Sequence, residues 1–577
     1  MVPPHNTATG PAEVGPADPG PLADDESPAR RQWLRLGLMT ALVLQLCWML
    51  NVYPHWRETN STSRVYLSVA MVEYGTFQID KCLSTYGDTL DKALYQEHYY
   101  SDKAPGTSLM FLPVTWLVAA MSPADQANPE GPALIDMRML FLALRMLCVS
   151  LPTVGFWWLT LPWFRAWTGR EDRAVAVVAA GALGTNFFIY ATQLFAHVPA
   201  GWFLFLAFFS VRRYWVRVAN PGTMGPGLLG GALAGVGFLN DYVVMLAVAT
   251  LGVATLLPRF QWRPALGFGL GLAPSLLIWM GYNWICFDHP LRTGFMYHAL
   301  PLYGNAYQSG FLGIQRFDPS SVLGMLFSPA RGMLFVSPVL ALAPLGWWRQ
   351  FRDGTYRGDA ICSAVVACVL FLFATTTIDW RGGWGMGTRY LVPAVPFALV
   401  GVAGALRNVS AGQVTSILFG GFAAVGILLS GAAAATVPLF PQEFSNPIYS
   451  VCIPFVAEGY IGPNLLTGMV GSVIGIVPLA AAILLSLYLV LCGGAARSPL
   501  LKWGAASLSL LLAFLIMFGQ SRLPEPPENR LACEISRAQM LARLGYFQQA
   551  AHEISALKQP DVSMDSKEVG ISGGSAP

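Results

Sequence analysis

His98-Tyr99-Tyr100-Ser101-Asp102-Lys103-Ala104-Pro105-Gly106 ends a polar segment that begins near Asn51 and separates two apolar runs. The run before it, Leu36 to Leu50, follows an Arg30, Arg31, Arg35 cluster. No small-residue cleavage site comes behind it, so it reads as a retained membrane anchor rather than a signal peptide. The run after it, Gly106 to Met121, is as apolar but shorter. A long acid-rich loop directly after a first membrane helix is where an otherwise apolar chain can place polar chemistry.

Working outward, the rest of the chain is built for lipid. Hydrophobic residues make up 54% and charged residues 12%, with a mean hydropathy of +0.50, which excludes an ordinary water-soluble domain. A net charge of +3 without a basic stripe argues against a nucleic-acid partner. Residues 1–32 are rich in Pro, Gly and Ala and read as a disordered cytoplasmic tail.

Basic loops recur at Arg165/Arg170/Arg173, Arg212/Arg213/Arg217, Arg259/Arg263, Arg349/Arg352/Arg357, Arg407 and Arg497/Lys502. Placing all of them in the cytoplasm requires an even number of crossings between neighbours. That holds only if Gly106 to Met121, roughly 24 Å long as a helix, does not span but lies at or dips into the outer face. The expectation is an all-α integral membrane protein of the cell membrane with about thirteen spans. They fall near 34–52, 137–163, 173–191, 198–212, 226–240, 242–258, 264–282, 332–347, 359–377, 391–406, 412–438, 464–491 and 503–520. The N-terminus is then inside, the C-terminus outside, and 53–136 forms a large first outer loop.

This topology collects the loop acids Glu58, Glu73, Asp80, Asp88, Asp91, Glu97 and Asp102 on one face, with His55, His98, His197, His289, His298 and His552. Such asymmetry favours an extracytoplasmic active site over a transport path, which needs polar groups through the membrane. Cys82, Cys286, Cys452 and Cys533 fall on the same side, without a CxxC, and are expected to be isolated thiols.

The loop opens with Glu58-Thr59-Asn60-Ser61-Thr62-Ser63-Arg64-Val65-Tyr66, runs to Glu73-Tyr74-Gly75 and closes on Tyr100-Ser101-Asp102-Lys103-Ala104-Pro105-Gly106. Later come His197-Val198-Pro199, Phe287-Asp288-His289-Pro290, Ser328-Pro329-Ala330-Arg331-Gly332 and Trp380-Arg381-Gly382-Gly383-Trp384-Gly385-Met386-Gly387-Thr388-Arg389-Tyr390. Together these resemble the C-type (GT-C) glycosyltransferases, in particular the subgroup of the lipid A aminoarabinose transferase and the protein O-mannosyltransferases. The resemblance covers residues 33–520. It implies a polytopic enzyme that moves a sugar from a polyprenyl-phosphate carrier to an acceptor (glycan, lipid or protein) on the extracytoplasmic face. Where that family has an acidic pair, this chain has Ser61 and Thr62, so the resemblance passes the carboxylate role to Glu58 or a later Asp.

Transfer from a lipid phosphate needs cations for the departing phosphate and a carboxylate for the acceptor's proton, and a single displacement inverts the anomeric centre. Lys103 is the leading phosphate candidate, followed by Arg389 and Arg331 in Gly-rich loops, with Arg64 and Tyr100 as further contacts from the loop's two motifs. Arg138 and Arg145 share a helix face about 10 Å apart, and Arg145 then needs a cavity or an acid such as Asp102 or Asp241. The candidate bases are Asp102, Glu58, Asp91, Asp88 and Asp80. His197 is a candidate for positioning a substrate, and Trp380 with Trp384 for stacking on a sugar. No cofactor is demanded. A divalent cation on His98, His197 and His289 has no ligand spacing behind it.

Beyond a Pro-rich linker from Leu523, residues 521–559 follow helix–turn–helix spacing like half a tetratricopeptide repeat, which cannot bury its own apolar face. It is expected to pack on the outer loops or on a protein partner, with 560–577 disordered. The competing readings are a transporter or lipid flippase with an outer vestibule, and a non-catalytic relative that binds polyprenyl lipid.

Overall fold

The computed structural model describes residues 27–49, 58–122, 135–216, 222–256, 262–301, 303–304, 317–377, 379–407, 409, 413–492 and 499–557. Of the tails expected to be disordered, 1–32 and 560–577, residues 1–26 and 560–577 lie outside these residues, as do 50–57 and 123–134 of the first loop, whereas Pro28–Gln32 open the helix Pro28–Met49.

The chain is a multi-pass helical membrane protein. Among the described residues six helices are long and apolar enough to cross a membrane: Met137–Thr168, Trp262–Phe287, Arg357–Thr375, Arg389–Leu406, Val414–Ala435 and Leu500–Ser521. Other expected spans are shorter or broken. Residues 464–491 divide into Leu465–Val470, Ser472–Gly475 and Val477–Cys492, the first break falling at Gly471 with φ 82°. Residues 332–347 divide at Ser337–Pro338, where proline removes a helix donor. His197–Arg212 and Tyr242–Ala254 are apolar but short of bilayer length.

Without water to drive them together, apolar helices associate by close backbone approach at small residues. Helices Gly225–Asn240 and Trp262–Phe287 meet this way: a Cβ on Gly231 would lie 1.9 Å from the Phe268 carbonyl oxygen, and one on Gly271 2.0 Å from that of Leu228.

The first loop is ordered by its own chemistry. Glu58 caps helix Thr59–Glu73, accepting from the Asn60 and Ser61 amides at 2.8 and 2.7 Å. Residues Asn60 to Ala70 of this helix are all buried, so Asn60-Ser61-Thr62 is a helix turn inside the protein and no surface sequon. Next comes helix Asp80–Tyr86, then an antiparallel hairpin pairing Ala93–Tyr95 with His98–Tyr100. Its two-residue turn, Gln96-Glu97, takes positive φ at both positions (48° and 67°), the backbone that two-residue hairpins require. Asp288 accepts from Gln96 Nε2 at 2.8 Å and the Tyr95 hydroxyl at 3.1 Å, anchoring that turn.

The second strand runs straight into Ser101-Asp102-Lys103 and then into helix Gly106–Met121, whose 16 residues are the short apolar run. A Cβ on Gly106 would sit 2.3 Å from the Leu239 carbonyl carbon, and Thr107 Oγ1 donates to Asn240 Oδ1 at 2.8 Å. Gly106→Ala is therefore expected to destabilise the fold by about 1–3 kcal/mol through overpacking against main chain. Thermal unfolding in detergent measures this, and a wild-type Tm would contradict it.

Helices Arg530–Leu544 and Phe547–Leu557 form a hairpin through Gly545 at φ 94°. It buries its apolar face on this chain, in a small core of Cys533, Met540, Leu541, Leu544 and Ala550 against Val437, Phe444, Val451 and Phe455. Glu525 fixes the approach, accepting from the Ser445 and Asn446 amides and Ser450 Oγ, each at 2.7 Å. Arg537 adds ion pairs to Glu458 and Glu553 at 3.1 and 3.0 Å.

Candidate active site

Where the first-loop hairpin ends, a cavity of about 460 Å³ opens between it, segment 295–303, the Gly-rich loop 379–390 and the C-terminal hairpin. Glu58, Asp91, Asp102 and Asp379 line it with Lys103, Arg389, Arg543 and His298. Phe295, Tyr303, Trp384 and Tyr390 supply aromatic wall.

Lys103 is the hub. Its ammonium lies 2.7 Å from Asp102 Oδ2 and 2.8 Å from Asp91 Oδ2, with the Phe295 ring centroid 5.6 Å away. Only 8% of the side chain is exposed, so it is no headgroup-seeking surface lysine. Burial works against its charge, but Asp102 and Asp91 outweigh that and raise its pKa. For Asp91 burial pushes the carboxyl up, yet Lys103, with lesser help from Arg389 and His298, wins and holds it below its ordinary value.

Asp102 is fully buried and also accepts from Ser63 Oγ at 3.1 Å, while Ser63 meets Ser101 Oγ at 2.8 Å. Close packing fixes this corner, since a Cβ on Gly294 would come within 2.7 Å of the Asp102 Cα. His298 reaches Asp102 Oδ2 with Nε2 at 3.7 Å, and its Nδ1 accepts the Leu300 amide at 3.1 Å. That acceptor role assigns the neutral ring's proton to Nε2, facing the carboxylate. Burial lowers the His298 pKa despite Asp102, keeping the ring neutral at pH 7.

Glu58 faces the same cavity with both oxygens occupied by its cap, which also takes Ser61 Oγ at 2.8 Å. Burial first, then the Asp91 charge, raises its pKa. The side chain of Asp91 keeps 21% of its surface open and meets Lys103 through Oδ2.

Arg389 also lines the cavity, its guanidinium 5.5 Å from the Phe195 ring centroid and 5.4 Å from that of Tyr390. No carboxylate lies within ion-pair distance of it among the described residues, and its buried Nε has no hydrogen-bond acceptor. The loop that carries it is held from behind by Arg331, which is 2% exposed. Arg331 donates to the carbonyls of Gly383 at 3.0 Å, Phe440 at 3.1 Å, Pro441 at 3.4 Å and to that of Gly385. Arg331 is thus a structural clamp outside the cavity and not a phosphate contact. Arg331→Lys cannot serve these diverging carbonyls, and a loss of about 3 kcal/mol is expected, measured as a lowered Tm. Unchanged stability would refute the clamp.

Several other sequence candidates are absent from the cavity lining. Asp88 pairs with Lys92 on the surface with its side chain 71% exposed, and Asp80 accepts the Tyr99 amide at 3.1 Å. Arg64 is buried and donates to the Asn60 carbonyl at 2.9 Å. Tyr100 packs on Phe287, with ring centroids 5.5 Å apart. His197 hydrogen-bonds Asp241 through Nδ1, and Lys103 pairs with Asp102. Arg145 begins a π-helical stretch to Ser150 and is absent from the cavity lining. Trp384 lines the cavity, whereas Trp380 does not and packs over Gly324.

Among the described residues no three His, Cys, Asp or Glu side chains form a metal-binding group, so His98, His197 and His289 do not converge. Cys82, Cys286, Cys452 and Cys533 are free thiols. Sequence reasoning missed His298 as a site residue, and missed Asp379 and Arg543 entirely. The only local signal for His298 was its place among the outer-side histidines.

No protein-family model matches the chain, and no curated protein matches it. Among solved structures the chain is similar to ArnT from Cupriavidus metallidurans in the apo state. The identity is 16%, over 84% of this chain and 77% of that one, with a TM-score of 0.41.

Proposed function

We propose that this protein is a membrane glycosyltransferase that moves a sugar from a polyprenyl-phosphate carrier to a hydroxyl-bearing acceptor on the extracytoplasmic face, with inversion. The observation that carries this reading is the presence, in one cavity lining, of a partly open carboxylate, Asp91, and a guanidinium, Arg389, that has no carboxylate within ion-pair distance among the described residues. The motif resemblance of the first loop supports it.

In the proposed step the bond from the anomeric carbon to the phosphate oxygen breaks, and the electron pair leaves with the carrier phosphate. A bond to the acceptor oxygen forms on the opposite face, and that oxygen's proton passes to Asp91. Arg389 neutralises charge gathering on the phosphate. Lys103 and Asp102 are positioning residues: they hold Asp91 in place and ionised. Glu58 anchors the loop helix beside them.

The test is mass spectrometry of lipids that co-purify in mild detergent, wild type beside Arg389→Met. A polyprenyl phosphate, with or without sugar, is expected in the wild type and is expected to vanish in the variant. A polyprenyl phosphate retained equally by both would remove Arg389 from the donor site. A specific non-polyprenyl solute held by both would overturn the reading in favour of transport.

A further inference from the structure

The C-terminal hairpin does more than bury its apolar face. Arg543, in the last turn of Arg530–Leu544, lines the cavity, and its guanidinium lies 4.3 Å from the Trp384 ring centroid. We infer that Arg543 is a second guanidinium contact to the anionic group of the substrate, so that the hairpin is a built-in wall of the binding site. This deepens the proposed function and rests on it.

Three observations carry the inference. Arg543 and Arg389 are 154 residues apart in sequence, yet both line one cavity. Both sit on the Gly-rich loop: Arg389 ends it and Arg543 covers Trp384 within it. The indole fixes the plane of the guanidinium, and a pre-positioned fork loses little entropy when it binds two oxygens.

The hairpin that delivers Arg543 is also held firmly. Met540, Leu541 and Leu544, on the turn that carries Arg543, are buried in the small core beneath it. Tyr546 supports the following turn, where its hydroxyl accepts the Ile461 amide at 3.1 Å. A module meant only to recruit another protein needs no arginine pointed into a cavity of its own chain. Beside Lys103, which is matched by Asp91 and Asp102, the guanidiniums of Arg389 and Arg543 are the other cationic groups of the cavity lining.

The experiment uses the full chain in detergent and two probes, a polyprenyl phosphate and the same polyprenol without phosphate, with binding read by tryptophan fluorescence. Arg543→Gln is expected to weaken polyprenyl phosphate roughly ten- to a hundredfold. Polyprenol binding should be unchanged, and Arg543→Lys should recover part of the loss. Ligand-free Tm reports folding of each variant, and Trp384→Leu, which removes the platform, is expected to weaken the phosphate probe in the same direction. Wild-type affinity in a folded Arg543→Gln, with Arg389→Met losing the probe, would overturn the role of Arg543 alone. A wild type that does not distinguish phosphate from alcohol would overturn the lipid-phosphate reading and this inference with it.

Discussion

Asp91→Asn is expected to fold, to keep its polyprenyl phosphate and to lose transfer by about a thousandfold, the scale of a positioned general base. Four carboxylates line the cavity; Asp379 accepts from the Gly383 amide and Gln442 Nε2 in the Gly-rich loop, and the surroundings of the three from the first loop separate them. Glu58 spends both oxygens on amides of its helix, and Asp102 is fully buried among Ser63, Lys103 and His298. Asp91 combines access with a lowered pKa, so it is ionised and ready to accept a proton at pH 7. Single-turnover assays with a lipid-linked sugar provide the measurement, with Asp80→Asn and Asp88→Asn as controls expected to stay near wild type. More than a tenth of the wild-type rate in Asp91→Asn would transfer the base role to another group.

Lys103→Met should do greater damage, because it leaves two carboxylates facing each other with their shared cation gone. Removing one partner from a buried charge pair costs about 3–5 kcal/mol, enough to threaten the fold. The pH dependence gives a sharper signature. In the wild type the depressed pKa of Asp91 contributes stability that is present above its unfolded value of about 3.9 and is lost as pH falls through the lower folded value. Without the ammonium, burial dominates and Asp91 titrates above its unfolded value. The sign then reverses, and the variant should gain stability as pH falls through the raised folded value towards the unfolded one. The acid limb of the transfer rate should move to higher pH with it. Chemical denaturation at several pH values checks the first claim, and parallel pH profiles would contradict it.

Much of this site could be read in the first loop because its parts are near in sequence. Tyr100 to Gly106 stood out as polar chemistry between apolar runs, and the hairpin delivers Asp102 and Lys103 to the cavity from within that stretch. Glu58 was read as a candidate base, and its role as cap of helix Thr59–Glu73 emerges only from the fold, where both its oxygens meet the Asn60 and Ser61 amides. Arg331 was misread because an arginine in a Gly-rich loop looks alike whether it faces a ligand or a set of carbonyls. Only the fold brings Phe440 and Pro441 to it. His298, Asp379 and Arg543 reach Lys103's cavity across long stretches of chain, and no local pattern encodes such a meeting. The expected spans held best where a single uninterrupted apolar run exists, as at Val414–Ala435, and failed at Gly471 and Pro338, where backbone chemistry breaks the helix.

The cavity draws one wall from Glu58 and another from Arg543, which lies beyond the last apolar helix, Leu500–Ser521. A chain still emerging from the ribosome therefore owns the loop acids long before it owns the residue that encloses them. A chain clipped after Ser521 lacks Arg543 and the hairpin that carries it, and is expected to admit water on that side of the cavity, where opposite charges attract more weakly. Making the hairpin is thus what adds Arg543 to a lining whose loop acids are already in place.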